Sequence, residues 1–285
     1  MPDRSTSDER LLVVNADDFG LTPGICDGIL RAHAGGIVTS TTVIAVGPAL
    51  AGRVEALHSS GLATGGHLTL VGEDPPLLSA AEIPTLVDDR GRLAPSWRTF
   101  VRRAALGRVD ADDVRRECVA QLDLLQSAGL QLTHLDAHQH LHLWPSVAGV
   151  TVDLAVDRGL PAIRHTRAHG WAPTSRGVRG LSARLGRRAR GAGLVVTDDA
   201  RGLEGAGHLR EPRLVRAIDE LGGGGAATVE LGTHPGTADD PDRVRYRWGY
   251  EWADELAALC SPAARQAVER NGFTLGTYAD VADRR

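Results

Sequence analysis

Short apolar runs rich in β-branched residues recur along the chain and alternate with stretches of helical periodicity. Residues 11–15 form the first such run and predict a buried strand. Thr22 and Pro23 then supply an N-cap and a first-turn proline for a helix that runs to about Ala34 and closes at Gly35 and Gly36. The pattern continues with a strand over 38–46, a helix over 49–60 and a strand over 63–70 that ends around His67. Residues 71–95, rich in Pro, Asp and Gly, predict a long loop, and loops of that length in compact domains often serve function. Asp110 caps a helix on which Val114, Cys118, Leu122 and Leu125 share one face. A strand over 130–136, a helix over 146–158 and a strand over 161–166 follow. Residues 170–193 read as irregular and Arg-rich, and Val195 with Val196 as a short strand. A helix over 211–221, a strand over 228–233, two helices near 249–271 and a strand over 273–278 complete the chain.

About seven strands thus alternate with about seven helices, and the strands are apolar on both faces. That is the signature of an α/β fold with parallel strands joined by crossover helices. A single (β/α) barrel-like domain over 11–285, closed or nearly closed, fits better than an open dinucleotide-binding sheet, because no GxGxxG follows the first strand. Residues 1–10 read as a loose polar tail without a signal-peptide core, which with the lack of a membrane-length apolar run predicts a cytoplasmic protein. The net charge of −4 argues against a nucleic-acid binder. All 32 basic residues are Arg, so Schiff-base lysine chemistry is excluded. Cys26, Cys118 and Cys260 are odd in number and lack a CxxC, as expected of reduced cysteines.

The candidate chemistry sits at strand ends. Asp17 and Asp18 (AsnAlaAspAspPheGly) follow the first strand, at the end where barrel active sites form. Either they cap a turn, or one binds a metal while the other acts as a base. His67 closes GlyGlyHis after the third strand, where the paired glycines would let another group approach the backbone. HisLeuAspAlaHisGlnHisLeuHis, at 134–142, sets Asp136, His138, His140 and His142 on one face wherever the chain stays extended. Clustered imidazoles suit a divalent metal such as zinc, and those that are not ligands could orient ligands or contact substrate. His234 precedes Pro235 and Gly236 beyond another apolar strand. Each motif alone has a structural explanation, but four of them at four strand ends converge in a barrel. The Arg-rich stretch 176–190 reads as a solvated face or an anion contact. Tyr246, Trp248, Tyr250 and Trp252 read equally as a sugar platform or as core.

Together these motifs resemble the YdjC/ChbG family of carbohydrate deacetylases, which includes the hopanoid-associated HpnK proteins. The resemblance spans roughly 11–281 and is carried by LeuLeuValValAsnAlaAspAspPheGlyLeuThr, GlyIleValThrSerThrThr, GlyHisLeuThrLeu, ThrHisLeuAspAlaHisGlnHisLeuHis and ThrHisProGly. It implies a TIM-barrel variant related to polysaccharide deacetylases. It also implies one divalent ion, Zn²⁺ or Mg²⁺, on Asp18, His67 and His138, with Asp17 as general base and His234 as general acid. The implied substrate is a small N-acetylated sugar and the products are acetate and an amine, with a homodimer compatible. Gln139 stands where some members carry another His. Two other readings remain from the residues: a different metal hydrolase, such as a phosphoesterase or amidohydrolase, and a non-catalytic sugar- or metal-binding protein.

Overall fold

The computed structural model describes residues 10–285. The expected tail over 1–10 lies outside the described residues except for Arg10, which opens the first strand. The first half of the chain runs β1 (Arg10–Phe19), α1 (Pro23–Gly35), β2 (Ser40–Val43), α2 (Val54–Ser60), β3 (Ala63–Leu68), α3 (Trp97–Ala105), α4 (Ala111–Ser127) and β4 (Leu132–Ala137). The second half runs α5 (Pro145–Asp157), β5 (Ala162–Ile163), α6 (Pro173–Gly191), β6 (Asp199–Arg201), α7 (Glu211–Gly223), β7 (Thr228–Thr233), α8 (Trp252–Leu259), α9 (Pro262–Arg270), β8 (Phe273–Gly276) and α10 (Tyr278–Asp283).

The strands form one curled parallel sheet in the order β5-β4-β3-β2-β1-β7-β6. β1 is its centre. One edge of β1 pairs with β7, while β8 and then β2 share the other edge in succession. The sheet ends, β5 and β6, are joined by a single segment: Val195 bridges Ala162, and the Asp198 N–H bonds Thr228 O at 2.8 Å. The barrel is therefore nearly closed, and the strand expected at Val195 and Val196 is one bridge of that closure. Cys26, Cys118 and Cys260 are unpaired. Among the described residues no helix is long and apolar enough to cross a membrane.

The strands expected over 161–166 and 273–278 stop at Ile163 and Gly276, and two expectations about helices also fail locally. Residues 170–193 are not irregular: most of them form α6, which starts at Pro173 and buries Ser182, Leu185, Gly186 and Ala189 along a narrow stripe. Arg is a good helix former, so an Arg-rich surface is no obstacle to a helix. Arg176, Arg184, Arg187, Arg188 and Arg190 are exposed on it. The helix expected over 49–60 begins only at Val54, because Ala49 spends its N–H on Gly20 O, which ties the preceding turn to the end of β1.

Alternation along the strands decides what the barrel encloses. Leu12, Val14, Leu135, Ala137, Val229 and Leu231 face outward into the main core beneath the helices. The opposite parity faces inward. At the N-terminal end it is apolar, with Leu11, Val13 and Ala162 packed on Tyr278 and Val281 of α10, which plugs the barrel. Above that plug the interior turns polar.

His134 is the first polar layer. Its ring stacks on Tyr278 at 3.9 Å, and a Cβ on Gly65 would lie 2.3 Å from it, so one of the paired glycines before His67 does make room for another group. Burial pushes the His134 imidazole down to about 3. The unfolded chain then binds a proton below pH ~6.5 that the folded chain refuses, so stability falls as the pH drops through that window. By pH 4 this residue alone should cost on the order of 3 kcal/mol. Urea unfolding between pH 7 and 4 should show a shallower slope for His134→Phe. An unchanged slope would contradict the assignment.

Candidate active site

The inward positions at the C-terminal ends of the strands meet at one place. Asp17 and Asp18 reach it together because the register of β1 slips between Ala16 and Phe19, and Asp18 is left-handed (φ 74°). A regular strand would have sent the two carboxylates to opposite faces. The left-handed backbone, which Asp tolerates better than most residues, turns both to the centre.

At the end of β4 the expected alternation breaks. The strand stops at Ala137, and His138–Leu143 form a 3-10 turn in which Gln139 (φ 52°) and His140 (φ 56°) are left-handed. Asp136, His138, His140 and His142 therefore do not share one face. His138 goes to the centre. His142 folds back, and its Nδ1 accepts the Ala137 N–H at 3.0 Å. His140 pairs its Nδ1 with Thr166 Oγ1 at 3.2 Å. Asp136 binds His67, with Oδ1 2.5 Å from Nδ1.

Asp18, His67 and His138 are buried and can each aim one ligand atom at a common point, all within 4.8 Å of one another. Asp18 Oδ1 lies 3.1 Å from His138 Nδ1 and 3.5 Å from His67 Nε2 yet has no hydrogen-bond partner aligned on it. An orphaned buried carboxylate oxygen faced by two imidazole nitrogens fits a divalent cation. Asp136 occupies His67 Nδ1, so Nε2 is the nitrogen left to face a cation once its proton is lost, as carboxylates arrange behind metal-bound histidines. Burial opposes ionisation of Asp18, but His138 and His67 outweigh it and hold the carboxyl well below its usual range. A second cluster, Asp17, His67 and Asp136, is as compact. Its carboxylates already hold the Arg164 guanidinium, 2.6 and 2.8 Å away, so a second cation has no place there.

Arg164 is the residue sequence reasoning missed. It follows β5 directly and is 4% exposed. Its Nη1 donates to both Asp17 oxygens at 2.6 Å and to Asp136 Oδ2 at 2.8 Å, while its Nε lies 2.6 Å from Glu230 Oε1. The Tyr278 hydroxyl donates to Glu230 Oε2 at 2.5 Å, so the network reaches the plug helix. Asn15 Nδ2 and Thr42 Oγ1 donate to Asp17 Oδ1 at 2.7 and 3.2 Å. Burial raises the Asp17 pKa, yet Arg164, then His67, overcome it and keep the carboxylate ionised. Removing one partner of a buried charge cluster strands the rest, at about 3–5 kcal/mol. Arg164→Met should lose that much stability in urea unfolding. A loss below ~1 kcal/mol would mean that water or rearrangement satisfies the three carboxylates.

His234, just past β7, completes the centre. Its Nε2 is 3.7 Å from Asp17 Oδ2, and its buried Nδ1 has no partner. Its backbone N–H donates to the buried Glu255 of α8 at 2.6 Å, which holds the turn. Asp17, Asp18, His67, His138 and His234 line one cavity of about 610 Å³ whose other walls are largely apolar side chains of α3, the His138–Leu143 turn and α6. Of the four alternating aromatics, Tyr246 and Trp252 are buried, whereas Trp248 and Tyr250 line the cavity. The long loop after β3 pins them: Trp248 Nε1 donates to Glu73 at 3.0 Å and the Tyr246 hydroxyl to Asp74 at 2.7 Å.

The chain is 32% identical over 276 residues to a carbohydrate deacetylase of Geobacillus stearothermophilus, covering 95% of this chain and 98% of that one. It is 31% identical over 301 residues to a carbohydrate deacetylase of Mus musculus, covering 96% of each. A crystal structure from Enterococcus faecalis V583, described as a candidate for cellobiose-phosphate cleavage, superposes with a TM-score of 0.79 at 26% identity, covering 95% of this chain and 98% of that one. A family model described as YdjC-like protein matches residues 11–270, which takes in all the strand-end motifs, and the chain belongs to that YdjC-like family.

Proposed function

We propose that the chain hydrolyses the N-acetyl amide of an amino sugar, giving acetate and a free amine. The observation that carries this reading is an ionised, buried Asp17 facing His234 at 3.7 Å, beside three convergent ligand atoms. Amide hydrolysis needs such a set: a base for water, an acid for the amine, and a centre that polarises the carbonyl. The names of the relatives supply the sugar, and a cavity of about 610 Å³ has room for a sugar ring.

A divalent ion on Asp18, His67 and His138 would polarise the amide carbonyl and lower the pKa of a water. Two imidazoles and one carboxylate are a donor set that favours zinc over magnesium. Asp17 takes the proton of the attacking water, its oxygens held in place by Arg164, Asn15 and Thr42. His234 protonates the departing nitrogen, and a proton resting on Asp17 is one short transfer away from it.

Acetate release from N-acetylglucosamine and its short oligomers, with and without added zinc or magnesium after chelation, tests the reading. Zinc-restored acetate release is expected. Phosphate release from sugar phosphates without acetate would place the chain among phosphoesterases instead.

A further inference from the structure

One hydrogen-bond donor in the cavity has no place in the scheme above. Tyr250 lines the cavity beside Asp17, Asp18 and His234. Its ring meets that of His234 edge-on at 5.0 Å. Among the described residues none hydrogen-bonds its hydroxyl, and Asp18 and Asp17 are the charged groups that bear on it most. Two other donors of the centre are spoken for. Arg164 serves three carboxylates, and the Trp248 indole N–H is held by Glu73.

The ring is also seated with care. A Cβ on Gly207 would lie 2.1 Å from it, so only glycine lets the Tyr250 ring lie against that backbone. Gly207 is left-handed (φ 74°), and its carbonyl accepts the Glu251 N–H at 2.7 Å, which ties the residue after Tyr250 to the same seat. Trp252 flanks the ring at 5.4 Å and Trp248 at 5.5 Å. An aromatic needed only to fill space would not require its phenol end free in a polar centre.

We propose that Tyr250 is a catalytic residue whose hydroxyl donates a hydrogen bond to the oxyanion of the tetrahedral intermediate. The proposal rests on the deacetylase reading. Water adds to the amide carbon, forming a C–O bond as the carbonyl π pair moves onto oxygen, and the proton of water goes to Asp17. The oxyanion then reforms the carbonyl while the C–N bond breaks and His234 protonates the nitrogen. A fixed donor aimed at the charge that develops between these steps stabilises the transition state more than the planar amide.

Tyr250→Phe, in the full chain with its metal, removes the hydroxyl and keeps the ring on Gly207. The expected result is a kcat about 10²-fold lower, with KM within a factor of two and metal content unchanged. In parallel, binding of a tetrahedral phosphonamidate analogue of the acetamido sugar should weaken by a similar factor, while binding of the amine product does not. A raised KM with unchanged kcat, or equal losses for analogue and product, would make the hydroxyl a sugar contact and overturn the proposal. An active wild type with an unimpaired Phe variant overturns it alone. A wild type that releases no acetate from any N-acetylated sugar overturns it together with the deacetylase reading.

Discussion

Asp17→Asn is expected to lower kcat by about 10³-fold while the purified protein keeps its full complement of metal. Asn matches Asp in shape, and its carbonyl can still accept from Asn15 and Thr42, which now meet at Asp17 Oδ1. What it cannot do is take a proton from water. Arg164 retains Asp136 and Glu230 as partners, but it loses an ion pair and one of its two acceptors on residue 17, so urea unfolding should show a loss of stability beside the loss of kcat. Asp18, His67 and His138 make no use of Asp17 as a fellow ligand in this geometry, so metal analysis separates the two roles the adjacent acids could have played. Loss of metal with activity would show that the cation sits in the Asp17, His67 and Asp136 cluster instead. Full activity would remove Asp17 from the chemistry altogether.

The shared orientation of Asp17 and Asp18 marks where the sequence stops being legible. That both acids lie at the end of the first strand follows from the apolar run before them. Their pointing to the same side does not, because it depends on one positive φ at Asp18 that no pattern of residue types announces. The histidine cluster shows the same limit in reverse. Its two-residue spacing implied a shared face, but the strand ends at Ala137 and the turn sends three histidines in three directions. Arg164 was hidden for another reason. In a chain whose basic residues are all Arg, one more Arg attracts no notice, and its charge says nothing of its burial. The apolar run predicts a strand over 161–166, which places Arg164 inside it; the strand stops at Ile163, and that puts Arg164 at the end where the strands converge. Glu230 stands four residues before His234, on the strand whose end carries it, and has the inward parity opposite to Val229 and Leu231. The barrel was legible because alternating apolar runs and helices admit few topologies, whereas α6 was not, since its buried stripe comprises only four residues.

His138 and His140 give the sharpest remaining test, because they should respond differently to the same substitution. Asp18→Ala or His138→Ala should reduce bound metal from about one equivalent to near zero and abolish acetate release, since two protein ligands hold such an ion poorly. Asp136→Asn should weaken metal binding by about 10–100-fold, the effect usual for a group that orients a ligand from behind. His140→Ala should leave metal content unchanged, its ring being engaged with Thr166. Binding should also be proton-linked. Burial disfavours a charged His67, but Asp136 and Asp18 outweigh it and push the metal-free imidazole up to about 10. At neutral pH a proton must therefore leave His67 before a cation can bind. Affinity should then fall about tenfold for each pH unit of acidification, measured by competition with a chelator of known affinity. A pH-independent affinity, or metal retained by Asp18→Ala and lost by His140→Ala, would show that the ion binds through the turn histidines and not at the end of the first strand.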